Sequence, residues 1–203
     1  MVANIGFPTA EDELFKFISQ LWHITRNRSQ TERLPGAAPL SVGDFPLPAA
    51  CPGPTADTYF CDPETLLTAE QAGAVRKALG NFSAAVPCGA ESVAYRLGVV
   101  VASSLGVPPA SFFKGEYYRT ADRLYDRWKP GLTDGSCHTG GLIVLLTDLR
   151  YVLVRTGGCD YLTNDAAQKV VNRTAYLIVL GRYGIGMFDF ERTVAFENMN
   201  FRQ

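Results

Sequence analysis

Histidine is scarce in this chain of 203 residues, which has only His23 and His138. None of its five cysteines forms Cys-x-x-Cys. Together these shortages exclude a zinc site of the usual spacing. A surplus of positive charge is missing too: 19 Lys and Arg stand against 20 Asp and Glu, for a net charge of −1. No basic field exists to hold a phosphate backbone, so nucleic acid is excluded as a partner. Apolar runs such as Leu142–Leu146 and Leu97–Ala102 stop far short of the ~20 residues a spanning helix needs, so a soluble chain is expected. Met1-Val2-Ala3-Asn4 lacks the basic-then-apolar build of a secretion signal; a leader is expected either to precede this numbering or to be absent. Ser103-Ser104 has no Gly-x-Ser-x-Gly around it. Neither Gly140-Gly141 nor Gly157-Gly158 opens a helix with Lys-Ser/Thr behind it, so phosphate loops are excluded. Close backbone approach is their expected use.

What is present suits one core with an extension. Apolar residues make up 47% and charged residues 19%, too apolar for general disorder. Residues 10–24 read as an amphipathic helix, with Leu14, Phe15, Phe17, Ile18, Leu21 and Trp22 at spacings of three and four and a Thr9/Asp12 cap. Its stripe packs on its own domain or, through Phe15, Ile18, Leu21 and Trp22, binds a partner; a membrane surface is the third use, disfavoured by a polar face that is not strongly basic. Residues 26–60 read as an extended arm, because seven of the twelve prolines lie between Pro35 and Pro63.

A compact region follows. Thr68 and Gln71 form a capping box ahead of the stripe Ala72, Val75, Leu79, Phe82, which Pro87 and Gly89 stop. Tyr95–Ala102 reads as a central strand. Residues 111–128 read as a helix ended by Pro130-Gly131. Gly140–Leu146 and Tyr151–Arg155 read as an antiparallel hairpin. A helix starts at Thr163 or Asn164 and runs to about Leu180, and a last one covers about 187–196. This order predicts an α/β fold: a small mixed sheet, with a parallel crossover plus the hairpin, covered by helices. The expected divisions are the helix at 1–25, the arm at 26–60, the α/β domain at 61–197 and a tail at 198–203.

Cysteines and acids supply the candidate chemistry. If the hairpin turns through Thr147-Asp148-Leu149, Leu146 faces Arg150 and Cys137 faces Cys159, within disulfide range. Cys61 and Cys88 bracket the first helix of the compact region and form a second possible pair, with Cys51 competing for either; buried reduced thiols are the alternative. Asp62, Asp134, Asp148, Asp160 and Asp165 all fall near strand or helix ends. Such ends gather into a cleft in an α/β sheet, where converging carboxylates hold calcium or serve a metal-assisted phosphatase. The plainer reading makes them turn and helix-end residues. His138 beside Cys137 has no nameable orienting acid or oxyanion site, so no catalytic residue is assigned. Three Asn-x-Ser/Thr sequons occur, at Asn27, Asn81 and Asn172.

Five segments in series carry a family resemblance. Cys61-Asp62-Pro63 followed by Leu67-Thr68-Ala69-Glu70-Gln71 resembles the opening of the TPM domain. Ala121–Gly131, with Trp128 and Gly131, is similar to its helix ending in Trp-x-x-Gly. Gly140–Leu146 and Arg150–Gly157 resemble its Gly-led strand and its return strand ending in Thr-Gly. Tyr161–Asp165 and Gly181-Arg182-Tyr183 resemble its closing helix and the Gly-x-Tyr after it. The match spans roughly residues 60–197. Cys51 and Cys61 are similar to the flanking cysteines of the animal extracellular branch, which includes the modulator of the nematode levamisole-gated acetylcholine receptor.

The resemblance implies a helix-covered α/β sheet on the extracellular or lumenal side of a membrane, with the secretory pathway first and the thylakoid lumen second. It implies a non-enzymatic accessory subunit beside a larger membrane complex: a receptor, a channel, or a photosynthetic or energy-transducing assembly. The alternative it implies is the thylakoid-lumen type, which aids photosystem repair as a metal-dependent acid phosphatase or calcium-binding module. The resemblance implies no obligatory cofactor; calcium, which some members of the family bind, is the candidate ligand.

Overall fold

A computed structural model describes residues 10–25, 40–51, 59–82, 84–88, 91–107, 115–132, 139–148, 151–157 and 163–183. Its elements are α1 (Ala10–Thr25), β1 (Phe60–Cys61), α2 (Ala69–Asn81), β2 (Ala84–Cys88), β3 (Glu91–Ala102), α3 (Glu116–Leu132), β4 (Gly140–Leu146), β5 (Tyr151–Thr156) and α4 (Asn164–Tyr183), with a 3₁₀ turn at Pro48–Ala50. The sheet runs β1-β3-β4-β5, and β2 pairs with β3 as well. β1, β3 and β4 are mutually parallel, while β5 returns antiparallel to β4 and β2 antiparallel to β3. This is the mixed α/β sheet that the element order predicts.

Both faces of the sheet are apolar, and alternation sorts the side chains between two cores. Phe60, Val99, Val101, Ile143, Leu145, Val152 and Val154 face the layer of α1, α2 and α4. Cys61, Val100, Ala102, Leu142, Val144, Leu146 and Leu153 face α3 and the strap at 40–51. Continuous burial of β4 follows from this double cover. A side chain would not fit at Gly141, where a Cβ would lie 2.7 Å from the Tyr95 hydroxyl and 3.0 Å from Leu97.

The capping box opens α2: Thr68 Oγ1 accepts from Gln71 N at 3.2 Å, and Gln71 Oε1 accepts from Thr68 N at 3.0 Å. Gln71 also donates to Ile24 O at 2.8 Å, which fastens the end of α1. Part of the proline-rich arm is bound down on α3. Phe45 is wholly buried and lies 6.4 Å from the Trp128 ring. Trp128 donates to Pro46 O at 3.1 Å, and Arg127 donates to Val42 O.

Several expectations change. β3 begins at Glu91 rather than Tyr95, because β2 folds back on its first half. α2 ends at Asn81, ahead of the Pro87 and Gly89 expected to stop it, and β2 follows at Ala84–Cys88. α3 starts at Glu116 rather than 111 and keeps Pro130 in its last turn. Leu146 pairs with Tyr151, not Arg150, so the hairpin register moves by one. That register no longer sets position 137 opposite 159; Cys137 and Cys159 themselves lie outside the described residues, as do Thr9 and the helix expected at 187–196.

Candidate functional site

In a sheet of parallel strands the carboxyl edge is where connecting loops leave room for chemistry. Here that edge joins the loops after β1, β3 and β4. Asp62 follows β1 and is 8% exposed. Its carboxylate accepts from Leu66 N and Leu67 N, each at 2.8 Å. Glu64 binds two segments at once: Oε1 accepts from Leu40 N at 3.4 Å, and Oε2 from Ser103 N at 3.3 Å. After β3, Ser103 and Ser104 are buried. After β4, the Asp148 amide donates to Ser103 O at 3.1 Å.

Two further features mark this edge. Among the described residues, the non-glycine residues with positive φ are Thr65 (52°) and Leu105 (53°), which lie in the loops after β1 and β3. Side chains other than glycine are strained there, and such strain clusters at functional sites. The Ser103 Oγ and Thr147 Oγ1 atoms are buried without a hydrogen-bond partner among the described residues. Beside them, Tyr117 donates to Val107 O at 3.1 Å. Burial pushes the Tyr117 phenol up from the ordinary tyrosine value, and the charges of Asp148 and Glu116 add to this.

The described acids, Asp62, Asp148 and Asp165, do not converge as a shared cleft requires. Asp62 and Asp148 flank β3, so their strands are roughly 10 Å apart, two strand spacings. The Asp62 carboxylate is directed at backbone amides. Asp165 belongs to the opposite end of the sheet, because α4 follows the end of β5, where Thr156 pairs with Gly141 at the start of β4. There Asp165 pairs with Lys169 at 2.7 Å. It lines a groove with Glu11, Thr163, Ala166, Lys169, Val170 and Arg173. Asp134 and Asp160 lie outside the described residues. Among the described residues no group of three or more His, Cys, Asp or Glu is placed to hold a metal.

The cysteines pair differently from one of the two expected bridges. Cys61 bonds Cys51, with Cα atoms 5.3 Å apart, and so is not joined to Cys88. The reason is topological. Cys61 pairs with Val100 and Cys88 with Glu91, at opposite ends of β3 and about 30 Å apart at the usual strand rise. The Cys51–Cys61 bond staples the strap to β1.

The α1 stripe takes the first of its expected uses, packing on its own domain. Ile18 and Leu21 are buried in the core shared with α2 and α4, and Phe15 and Trp22 pack half-buried against it. Arg173 lies over the Phe15 ring at 5.6 Å. The stripe is spent on the chain's own fold.

The outer edge of β5 was not foreseen. Gly157 N donates to Gly140 O at 2.8 Å, so residues 152, 154 and 156 turn their backbone groups away from β4. Thr156 N donates to Asn164 Oδ1 at 2.7 Å, Val154 O accepts from Arg155 at 3.0 Å, and Val152 O accepts from Gln168 at 3.5 Å. Arg155 is itself held by Asp122 and lies 5.0 Å over the Tyr118 ring. No helix among the described residues is long and apolar enough to cross a membrane. Compared with protein-family models, curated proteins and solved structures, the chain gave no match in any of the three.

Proposed function

We propose that this chain is a non-enzymatic accessory domain of the TPM type, working beside a larger membrane protein complex on its extracellular or lumenal side. The observation that carries the reading is the Cys51–Cys61 disulfide. Such bonds persist in oxidising compartments and are rare in the cytosol. The carboxylates at the strand tips add support, since Asp62 and Glu64 serve backbone amides instead of a reaction centre. Kinship is supported by where the resembling segments fall. Thr68 caps α2, Gly140 opens β4, Thr156 closes β5, and Asn164 opens α4.

The test is native. The tagged full chain, recovered from its own cells in mild detergent, is expected to migrate with a membrane complex and to carry no free thiol at 51 or 61. Migration as a lone monomer with both thiols free refutes the reading. The competing phosphatase draws on the unpaired hydroxyls of Ser103 and Thr147 at the carboxyl edge. Metal-dependent hydrolysis of a phosphate monoester, falling ~10²-fold or more in Asp148→Asn, would replace the accessory role with that enzyme.

A further inference from the structure

An oxidising compartment of the secretory pathway also contains the machinery of N-glycosylation, and the sequons are not equivalent in this fold. Asn172 and Thr174 both lie within α4. Two residues apart on a helix, side chains point to different faces. Asn172 is exposed, whereas Thr174 is 1% exposed and its hydroxyl donates to Val170 O at 2.8 Å. The Asn172 carboxamide also accepts from Gln168 at 3.3 Å. Folded, this sequon cannot present its amide and its hydroxyl to one acceptor site.

Asn81 stands at a helix end instead of inside a helix. It is exposed and is the last residue of α2. Phe82, the residue after it, is already extended (φ −69°, ψ 120°), so the chain has left the helix within the sequon. The surrounding surface is open: Lys77 and Gly80 are exposed, and a Cβ at Gly80 would meet nothing within 4 Å. Anchoring falls to Phe82, whose ring meets Phe17 edge-on at 5.9 Å, so the Asn81 side chain has no part in the core.

We infer that Asn81 is an N-glycan attachment site and that Asn172 is left bare; this rests on the extracellular or lumenal reading above. The donor is a lipid-diphosphate-linked oligosaccharide. The Asn81 amide nitrogen forms a bond to the anomeric carbon of the first sugar. The bond from that carbon to the phosphate oxygen breaks, the lipid diphosphate leaves with the bonding pair, and the amide gives up one proton to a base. The attached glycan extends from the α1–α2–α4 side of the molecule.

The full chain is secreted from eukaryotic cells behind a supplied signal and treated with peptide N-glycosidase, and each sequon peptide is read by mass spectrometry for conversion of Asn to Asp. Conversion is expected at Asn81 and not at Asn172, and both Asn81→Gln and Ser83→Ala are expected to abolish the Asn81 signal. An unconverted Asn81 beside a converted Asn27, or a converted Asn172, overturns this inference and leaves the compartment reading intact. No conversion at any sequon, with free thiols at 51 and 61 in the chain recovered from its native cells, overturns both.

Discussion

Cutting the Cys51–Cys61 staple removes one fastening of the strap to β1. The bridge closes a segment with a sequence separation of 10, for which loop entropy gives about 2.7 kcal/mol of stabilisation. At this chain size each kcal/mol moves the melting temperature by about 2–4 °C, so the Cys51→Ala/Cys61→Ala pair is expected to melt roughly 5–11 °C lower. Urea unfolding followed by fluorescence, with Trp128 under Phe45 as a reporter, measures the loss directly. Phe45 supplies the internal control. Its ring is wholly buried, so Phe45→Ala costs about 3–5 kcal/mol while the bridge is intact. Once the bridge is cut, an unstapled strap can leave the surface, and the same substitution costs less. A double-mutant cycle therefore shows coupling. A bridge-less variant within about 0.5 kcal/mol of the parent, or strictly additive losses, refutes the strap as a fastened part of the core.

Three more outcomes follow from single contacts. Gly141→Ala is expected to destabilise by about 1–3 kcal/mol through its clash with Tyr95 and Leu97, whereas Gly73→Ala, in open space on α2, stabilises by about 0.5–1 kcal/mol; denaturation midpoints compare the two. Asp62→Ala leaves the Leu66 and Leu67 amides without their acceptor and costs about 1–3 kcal/mol, and calcium titration is expected to leave the melting temperatures of parent and variant alike unmoved. The folded chain holds the Tyr117 proton more tightly than the unfolded chain does. As pH rises through the ordinary value of 10.0, the unfolded state ionises first, and stability falls until folded Tyr117 ionises too. Tyr117→Phe is expected to lower stability by about 1 kcal/mol near neutrality, through loss of the bond to Val107 O, and to flatten this alkaline decline.

Elements whose pattern is set by their own residues were legible in the sequence. The stripes of α1 and α2, the Thr68–Gln71 box and the apolar runs of β3 and β4 each carry a local signal. β1 and β2 do not. β1 has two residues, too short for any period to show. β2 reads Ala-Ala-Val-Pro-Cys, poor in strand-formers and broken by a proline that an interior strand excludes. Missing both strands hid the layout of β3, and with it the distance between Cys61 and Cys88. The hairpin register failed because no glycine marks the turn in Thr147-Asp148-Leu149-Arg150, so one residue more or less could not be told apart. Where the described acids fall was hidden for a non-local reason: spacing along the chain does not say which end of a sheet a loop serves. Asp148 and Asp165 are close in sequence, yet β5 carries the chain back across the sheet between them.

The guarded rim of β5 has a consequence for life in crowded surroundings. A bare strand rim invites a second chain to add its own strand, then a third, ending in fibres. Here Asn164, Arg155 and Gln168 already occupy places such an intruder would need. Stripping them, as in Asn164→Ala/Gln168→Ala, reopens a route to polymers. A visitor to this rim of the intact molecule meets side chains where it would need free backbone groups.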